Sequence, residues 1–314
     1  MSTGGLVVST RGLVHIYRAE GHDVAALAGV DLTVGAGEMV GLLGPSGAGK
    51  STLLSLFGGL LRPSAGKIQV GDRELSTMSE QELDEFRGAD VGLVLQGAAR
   101  NLLPYLTPRQ NIAFAQGAAQ ARGRDLPTLP EVLHLVGVAE AADEPLRALT
   151  PAQLQLTALG VAVATRPGLL LGDEPTSQLD HAARDRVLDA LAQVNRDVGT
   201  TVVVVTHDPE VAARLPRTVT IRDGRVGGEG RDGEEYAVVS ADGSLPLPPH
   251  VLQEFPAGSL LRVHREDGRW LLLPQARDGQ ESDGGESGGG ESGGKESGGG
   301  GSGGKESHGG ESDA

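Results

Sequence analysis

The nine residues Gly44-Pro45-Ser46-Gly47-Ala48-Gly49-Lys50-Ser51-Thr52 constrain this chain more than any other stretch. They fit G-x-x-x-x-G-K-[ST] and sit between an apolar run, Met39 to Leu43, and a helical run, Leu53 to Leu60. Glycines let backbone amides curl around phosphate oxygens, and the start of the following helix adds its dipole. Lys50 supplies positive charge, and the Ser51 hydroxyl can reach a magnesium ion. The position of the pattern, after a strand and before a helix, separates it from a flexible turn.

A second piece is Leu169-Leu170-Leu171-Gly172-Asp173-Glu174, an apolar strand ending in two carboxylates. In α/β sheets ligands bind at that end of the strands. Asp173 can orient the magnesium and Glu174 can activate water. Adjacent acids after a strand are often only a solvated turn. Together with the loop they point to a site for ATP and Mg2+ and to hydrolysis.

Short apolar, β-branched runs alternate with helix-length segments through the first part of the chain: Met39 to Leu43, Gly92 to Leu95, Gly168 to Gly172 and Thr201 to Val205. Runs apolar on both faces predict buried strands of an α/β sheet. They are far shorter than the roughly 18 residues needed to cross a bilayer, and no signal peptide is expected at Met1 to Gly5. The chain has no cysteine, which removes disulfides, thiolate zinc sites and cysteine nucleophiles. Of the net charge of −15, the nine acids and three bases from Arg277 to Ala314 account for −6, leaving −9. That sign argues against nonspecific nucleic-acid binding as the chain's main business.

The order of these pieces resembles the nucleotide-binding subunits of ATP-binding cassette (ABC) transporters over roughly residues 6 to 228. The resemblance implies a P-loop ABC nucleotide-binding domain, with a mixed sheet core and a helical subdomain. Tyr17 lies where that family sets an aromatic ring against adenine. Gln96, in Val94-Leu95-Gln96, falls at the loop that senses magnesium and faces the membrane subunit, which makes Ser51, Gln96 and Asp173 the implied metal set. Ser46, Gly47, Ala48, Gly49, Lys50, Ser51 and Thr52 are the implied phosphate contacts. Thr176-Ser177-Gln178-Leu179-Asp180 resembles the loop that follows the family's acids, and His207 the switch histidine on the γ-phosphate; Glu174, His207 and Gln96 are thus the implied catalytic set. The stretches Leu75 to Arg87 and Leu102 to Thr107 are most similar to the MacB, LolD and FtsE group, ATPases that serve separate membrane subunits. The resemblance therefore implies a separate permease, a second ATPase subunit in a homo- or heterodimer, and a cytoplasmic location on the inner face of the cell membrane.

One departure stands out. Counting back from Arg166-Pro167, the family's Leu-Ser-Gly-Gly-Gln signature falls at Leu149-Thr150-Pro151-Ala152-Gln153. The family presses this segment against the γ-phosphate held by the opposite subunit. Thr150 keeps a hydroxyl, but Pro151 has no amide proton and Ala152 adds a methyl where close approach is needed. Thr150-x-x-Gln153 with proline at the first helical position still predicts a capped helix start. A degenerate signature raises pairing with a different ATPase chain, and equally a slow homodimer. Two other readings are an ATP-sensing regulatory subunit with little turnover and a soluble, non-transport ABC ATPase.

Composition changes near residue 231, so the expected domains are 1–230, a small β-rich module at 231–275, and a disordered Gly/Ser/Glu tail at 276–314. Within the module, strand-like runs Tyr236 to Val239, Leu260 to His264 and Trp270 to Leu273 flank a brief helix candidate, His250 to Phe255. This stretch is similar to AbrB-type swapped-hairpin domains. Arg262, His264, Arg265 and Arg269 are interspersed with Glu266 and Asp267, a thin pattern for phosphate binding, so dimerisation or regulation is expected over DNA.

Overall fold

The computed structural model describes residues 4–19, 21–231, 233–239, 243–256 and 258–274, so the tail expected at 276–314 lies outside the described residues. In chain order the strands are β1 (Val8–Ala19), β2 (His22–Val34), β3 (Met39–Leu43), β4 (Ala65–Val70), β5 (Arg73–Glu74), β6 (Val91–Val94), β7 (Leu169–Asp173), β8 (Thr201–Val205), β9 (Arg217–Arg222), β10 (Arg225–Arg231), β11 (Glu234–Ala237), β12 (Leu261–Glu266) and β13 (Arg269–Pro274). The helices are α1 (Lys50–Phe57), α2 (Glu80–Asp90), α3 (Pro108–Ala121), α4 (Leu129–Leu135), α5 (Pro151–Val163), α6 (His181–Val198), α7 (Pro209–Ala212) and α8 (Pro249–Glu254).

The four apolar runs become β3, β6, β7 and β8, four consecutive parallel strands that run to the β6 edge of a seven-stranded sheet ordered β11-β10-β9-β3-β8-β7-β6. Each is apolar throughout because both faces are covered. Val203, Val205, Leu169 and Leu171 enter a core shared with α1, whereas Val202, Val204 and Leu170 enter a core built with α4, α5 and α6. Period-two alternation thus feeds two cores from one strand. A second, antiparallel sheet ordered β2-β1-β4-β5 covers the first core.

The parallel strands put the start of α1 and the ends of β6, β7 and β8 at one edge of the sheet. Helix α5 carries no charged residue, and nine of its thirteen residues are buried. It is a core helix for the helical part of the chain, and Leu156, Leu159 and Val163 pack with Ile112, Val132 and Leu133 of α3 and α4.

The chain divides into two compact units, Met1–Glu254 and Phe255–Ala314. The structure therefore partitions the stretch expected as a single module at 231–275. Glu234–Ala237 pairs antiparallel with Gly228–Arg231 and extends the seven-stranded sheet. Gly233, at φ +82°, takes the left-handed backbone that a tight reversal here needs. In the second unit β12 and β13 form an antiparallel hairpin, with Arg265 stacked over the Trp270 ring at 5.7 Å.

Candidate active site

Between β3 and α1 the glycine-rich loop takes backbone angles that other residues resist: φ is +135° at Gly44, +79° at Gly47 and +99° at Gly49. A Cβ on Gly49 would lie 2.3 Å from the carbonyl oxygen of Ala26, so this position combines a left-handed backbone with close approach of β2. Helix α1 starts at this loop with no side-chain cap. Among the described residues the amides of Lys50 and Ser51 find no protein acceptor, which leaves a helix start open to an anion. Lys50 is buried, and its Nζ donates to the carbonyl oxygens of Gly44 and Pro45, both at 2.8 Å.

Across from the loop, the Ser51 hydroxyl donates to Asp173 Oδ1 at 3.1 Å. Burial at the end of β7 pushes the Asp173 carboxyl above its ordinary range; the hydrogen bond from Ser51 and the charges of Lys50 and Arg100 oppose that shift, and the Glu174 charge adds to it. Glu174 follows at φ +48°, its amide bonded to the Val205 carbonyl at 3.0 Å, so β8 dictates the bend that carries its carboxylate out of the strand. One Glu174 oxygen accepts from Gln96 Nε2 at 2.9 Å, and the other lies 2.8 Å from His207 Nδ1.

The loop, Gln96, Glu174 and His207 border one cleft of about 780 Å³. It brings together Tyr17, Ser46, Gly47, Gly49, Lys50, Ser51, Thr52, Gln96, Glu174 and His207, residues spread over 190 positions of the chain. The Tyr17 hydroxyl is 3.1 Å from Thr52 Oγ1, and the His15 ring packs edge-on against the Tyr17 ring at 4.7 Å. Ala48 stands apart: its side chain lies in the core, and its amide donates to the Pro45 carbonyl at 3.3 Å. Asp173 reaches the site through Ser51.

Thr150, Pro151, Ala152 and Gln153 do not line this cleft. They start α5 with a closed capping box: Gln153 N–H donates to Thr150 Oγ1, while Thr150 N–H and Oγ1 both donate to Gln153 Oε1. Thr107-Pro108-Arg109-Gln110 starts α3 with the same box, and Ser79 with Glu82 and Thr128 with Glu131 repeat it at α2 and α4.

Sequence reading missed five residues. Val24, Ala25 and Ala26 line the cleft from β2, where nothing but their place opposite Tyr17 in the β1–β2 pairing would have signalled them. His15 is buried behind Tyr17, and its Nδ1 lies 3.0 Å from the Arg62 carbonyl. Asn101 pins the loop after Gln96 by accepting from Leu95 N–H and donating to the Leu95 and Gly97 carbonyls.

Residues 27–177 match the family model described as ABC transporter. The chain is 38% identical over 234 residues to the lipoprotein-releasing system ATP-binding protein LolD 1 of Caulobacter vibrioides, covering 72% of this chain and 97% of that protein. It is 36% identical over 223 residues to the macrolide export ATP-binding/permease protein MacB of Rhodopirellula baltica, covering 70% of this chain and 32% of that protein. Among solved structures, the dimeric post-hydrolysis state of the ATP-binding cassette MJ0796 bound to ADP and Pi superimposes with a TM-score of 0.64 at 30% identity, over 71% of this chain and 98% of that one.

Proposed function

The chain belongs to the ABC transporter family as an ATP-binding, ATP-hydrolysing subunit, and on that premise we propose that it drives a separate membrane permease from the inner face of the cell membrane, paired with a second ATPase chain. The observation that carries this reading is the convergence of Lys50, the Ser51–Asp173 pair and a Glu174 flanked by Gln96 and His207 on one cleft.

In this reading Tyr17 offers its ring to the adenine, and Lys50 turns from its two carbonyls to the β- and γ-phosphates. The open amides at the start of α1 take phosphate oxygens. The Ser51 hydroxyl, the Asp173 carboxylate and the Gln96 carboxamide form a hard-oxygen donor set with a single carboxylate, which fits magnesium already bound to a polyphosphate. A magnesium ion held by these residues would supply neutralisation of phosphate charge. Glu174 accepts the proton of the attacking water, and His207 donates to the γ-phosphate as negative charge builds on it.

Two features support the partners. The loop from Leu95 to Thr107 is braced by Asn101 and by Asn111, whose Nδ2 donates to the Leu103, Leu106 and Thr107 carbonyls. On and beside this stiff loop Tyr105 and Phe114 are left exposed, a docking face for a permease segment. For the second ATPase chain, the capping box at α5 occupies Thr150 and the Gln153 backbone amide, and Pro151 has no proton, so Ala152 N–H is the one backbone donor of that first turn left for a phosphate. Set beside α1, with its open start, α5 has a helix start built for stability. We read this as a degenerate signature and assign the partner an intact one.

In the hairpin β12–β13 two acids, Glu266 and Asp267, sit among Arg262, Arg265 and Arg269, and Val263 and Trp270 are exposed, which favours an AbrB-like dimerisation role over DNA binding. The regulatory and soluble-ATPase readings are less supported, since the relatives found are transport ATPases.

The test is purification of the chain from membranes with whatever it binds, followed by ATPase measurement. Recovery of a permease and a second ATPase chain, with low turnover by this chain alone, is expected. A self-paired complex with its permease that hydrolyses ATP at rates ordinary for such transporters would overturn the heterodimer.

A further inference from the structure

His207 has little to hold it. Its side chain is 66% exposed, and its one partner among the described residues is Glu174. Its position rests on its neighbours. Thr206 is buried, with its amide bonded to the Leu42 carbonyl at 3.1 Å, and Asp208 donates its own amide to Thr206 Oγ1 at 3.1 Å. Asp208 then divides its carboxylate: Oδ1 accepts from Glu210 N–H at 2.8 Å and so caps α7, while Oδ2 lies 3.2 Å from Arg184 Nη1. Arg184 Nη2 reaches Glu210 Oε2 at 2.6 Å. The arginine side chain is 13% exposed, against 36% for Asp208 and 60% for Glu210, so the cation is the sheltered member of this group.

Arg184 stands in the first turn of α6, directly after the turn that carries Glu174 to Asp180. That turn is tight. Glu174 and Gln178 both have positive φ, and Ser177 N–H bonds back to the Glu174 carbonyl. Asp180 ends it by capping α6 through Ala183 N–H at 2.7 Å. Chain and contacts therefore close a ring: Glu174 through the turn to Arg184, across the ion pair to Asp208, back one residue to His207, and across a hydrogen bond to Glu174. The ion pair is the one link in this ring made by side chains outside the cleft.

We infer that Arg184 is a positioning residue that holds His207 against Glu174 by clamping Asp208 to the start of α6. The clamp ties the setting of the histidine to the position of the turn 174–180. Arg184 is poorly built as a stability staple alone, because its Nε is buried with no hydrogen-bond acceptor. Its Nη2 also lies 2.9 Å from His181 Nδ1 and its Nε 3.9 Å from Asp185 Oδ1, but the two acids nearest its fork are Glu210 and Asp208 at the α7 start, at 2.6 and 3.2 Å, and these aim it. The inference rests on the reading of Glu174 and His207 as the pair that acts on ATP.

Two measurements on the full chain test it. In the first, R184M is combined with H207A and ATP turnover is compared across the four proteins. Alone, R184M is expected to lower kcat about tenfold with KM for ATP changed less than about twofold, R184K to recover part of the loss, and R184M to cost nothing further in the H207A background. Multiplicative losses in the double variant would mean that Arg184 does not act through His207. The second measurement is free of turnover: in protein labelled with 15N-histidine, the His207 ring signal is found among the eight histidines by its loss in H207A. In R184M it should move toward an unbonded imidazole; an unmoved signal overturns the inference. If the wild type and H207A hydrolyse ATP equally, the reading of His207 fails while the spectroscopic arm still judges the clamp.

Discussion

Glu174 and His207, 33 positions apart, meet with Oε1 and Nδ1 at 2.8 Å, while Gln96 holds the second oxygen of the same carboxylate at 2.9 Å. Both oxygens of the proposed general base are therefore already engaged by groups that also border the ATP cleft. Each oxygen keeps a second lone pair, so a water can be activated on this carboxylate while Gln96 and His207 hold its orientation.

Glu174→Gln should separate binding from chemistry. An amide nearly preserves size but cannot take the water's proton, so phosphate release should fall at least about a hundredfold while ATP affinity stays within about threefold. Single-turnover phosphate release alongside equilibrium nucleotide binding measures both. Near-normal release would remove Glu174 from the chemistry.

As a proposed magnesium ligand, Asp173 should make the metal dependence of binding sensitive to acid. Burial raises its pKa above the unfolded value, so in the cation-free protein the folded state keeps this proton to higher pH than the unfolded chain does. Its contribution to stability is then fully present below the unfolded pKa and is lost as pH rises through the raised folded pKa. A divalent cation competes for the same oxygen. Magnesium-dependent ATP affinity should weaken as pH falls through the raised Asp173 pKa, and Asp173→Asn should flatten that dependence. Titrations of ATP across that pKa, with magnesium and with chelator, would show it.

At α5 the substitutions P151G and A152G, made together, should reopen the helix start. Two amides become approachable, while the helix loses about 1 kcal/mol or more from glycine alone. If a self-paired form uses this segment, its turnover should rise by roughly tenfold, about the worth of one hydrogen bond to a charged group. Unchanged turnover with a folded protein would show that the segment does not limit self-pairing. Thermal melting alongside the ATPase assay separates the two effects.

Gly49→Ala and Gly47→Ala should differ although both glycines have positive φ. The new methyl at residue 49 meets the Ala26 carbonyl at 2.3 Å, whereas at residue 47 nothing lies within 4 Å. G49A should cost about 1 to 3 kcal/mol and abolish the rise in melting temperature that ATP produces; G47A should cost less and keep part of that rise. Equal effects would mean that backbone angle, not the approach of β2, sets the requirement.

The elements that order the site were largely legible. Met39 to Leu43 and Thr201 to Val205 are strands with the expected ends, Val91–Val94 and Leu169–Asp173 lie one residue from the expected ones, and α5 starts behind Thr150 as its capping pattern predicts. Helix α1 begins at Lys50, three residues before the apolar run that signalled it, because the loop's own last residues supply its first turn. Less legible was the end of the sheet, where Glu234–Ala237 folds back onto β10. Composition changes at that point, but hydrogen bonding does not respect composition.

By itself the sequence determined the loop from Gly44 to Thr52, the acids that end β7, and the helix start at Thr150, because each depends on residues a few positions apart whose backbone preferences and hydrogen bonds are local. Only the tertiary structure decided that the Ser51 hydroxyl lies on Asp173, that Gln96 and His207 share one carboxylate, and that Arg184 clamps the residue after His207. These pairings join side chains from 24 to 122 positions apart. No local preference encodes them: they exist because parallel strands packed on both faces bring their ends to one edge of a sheet.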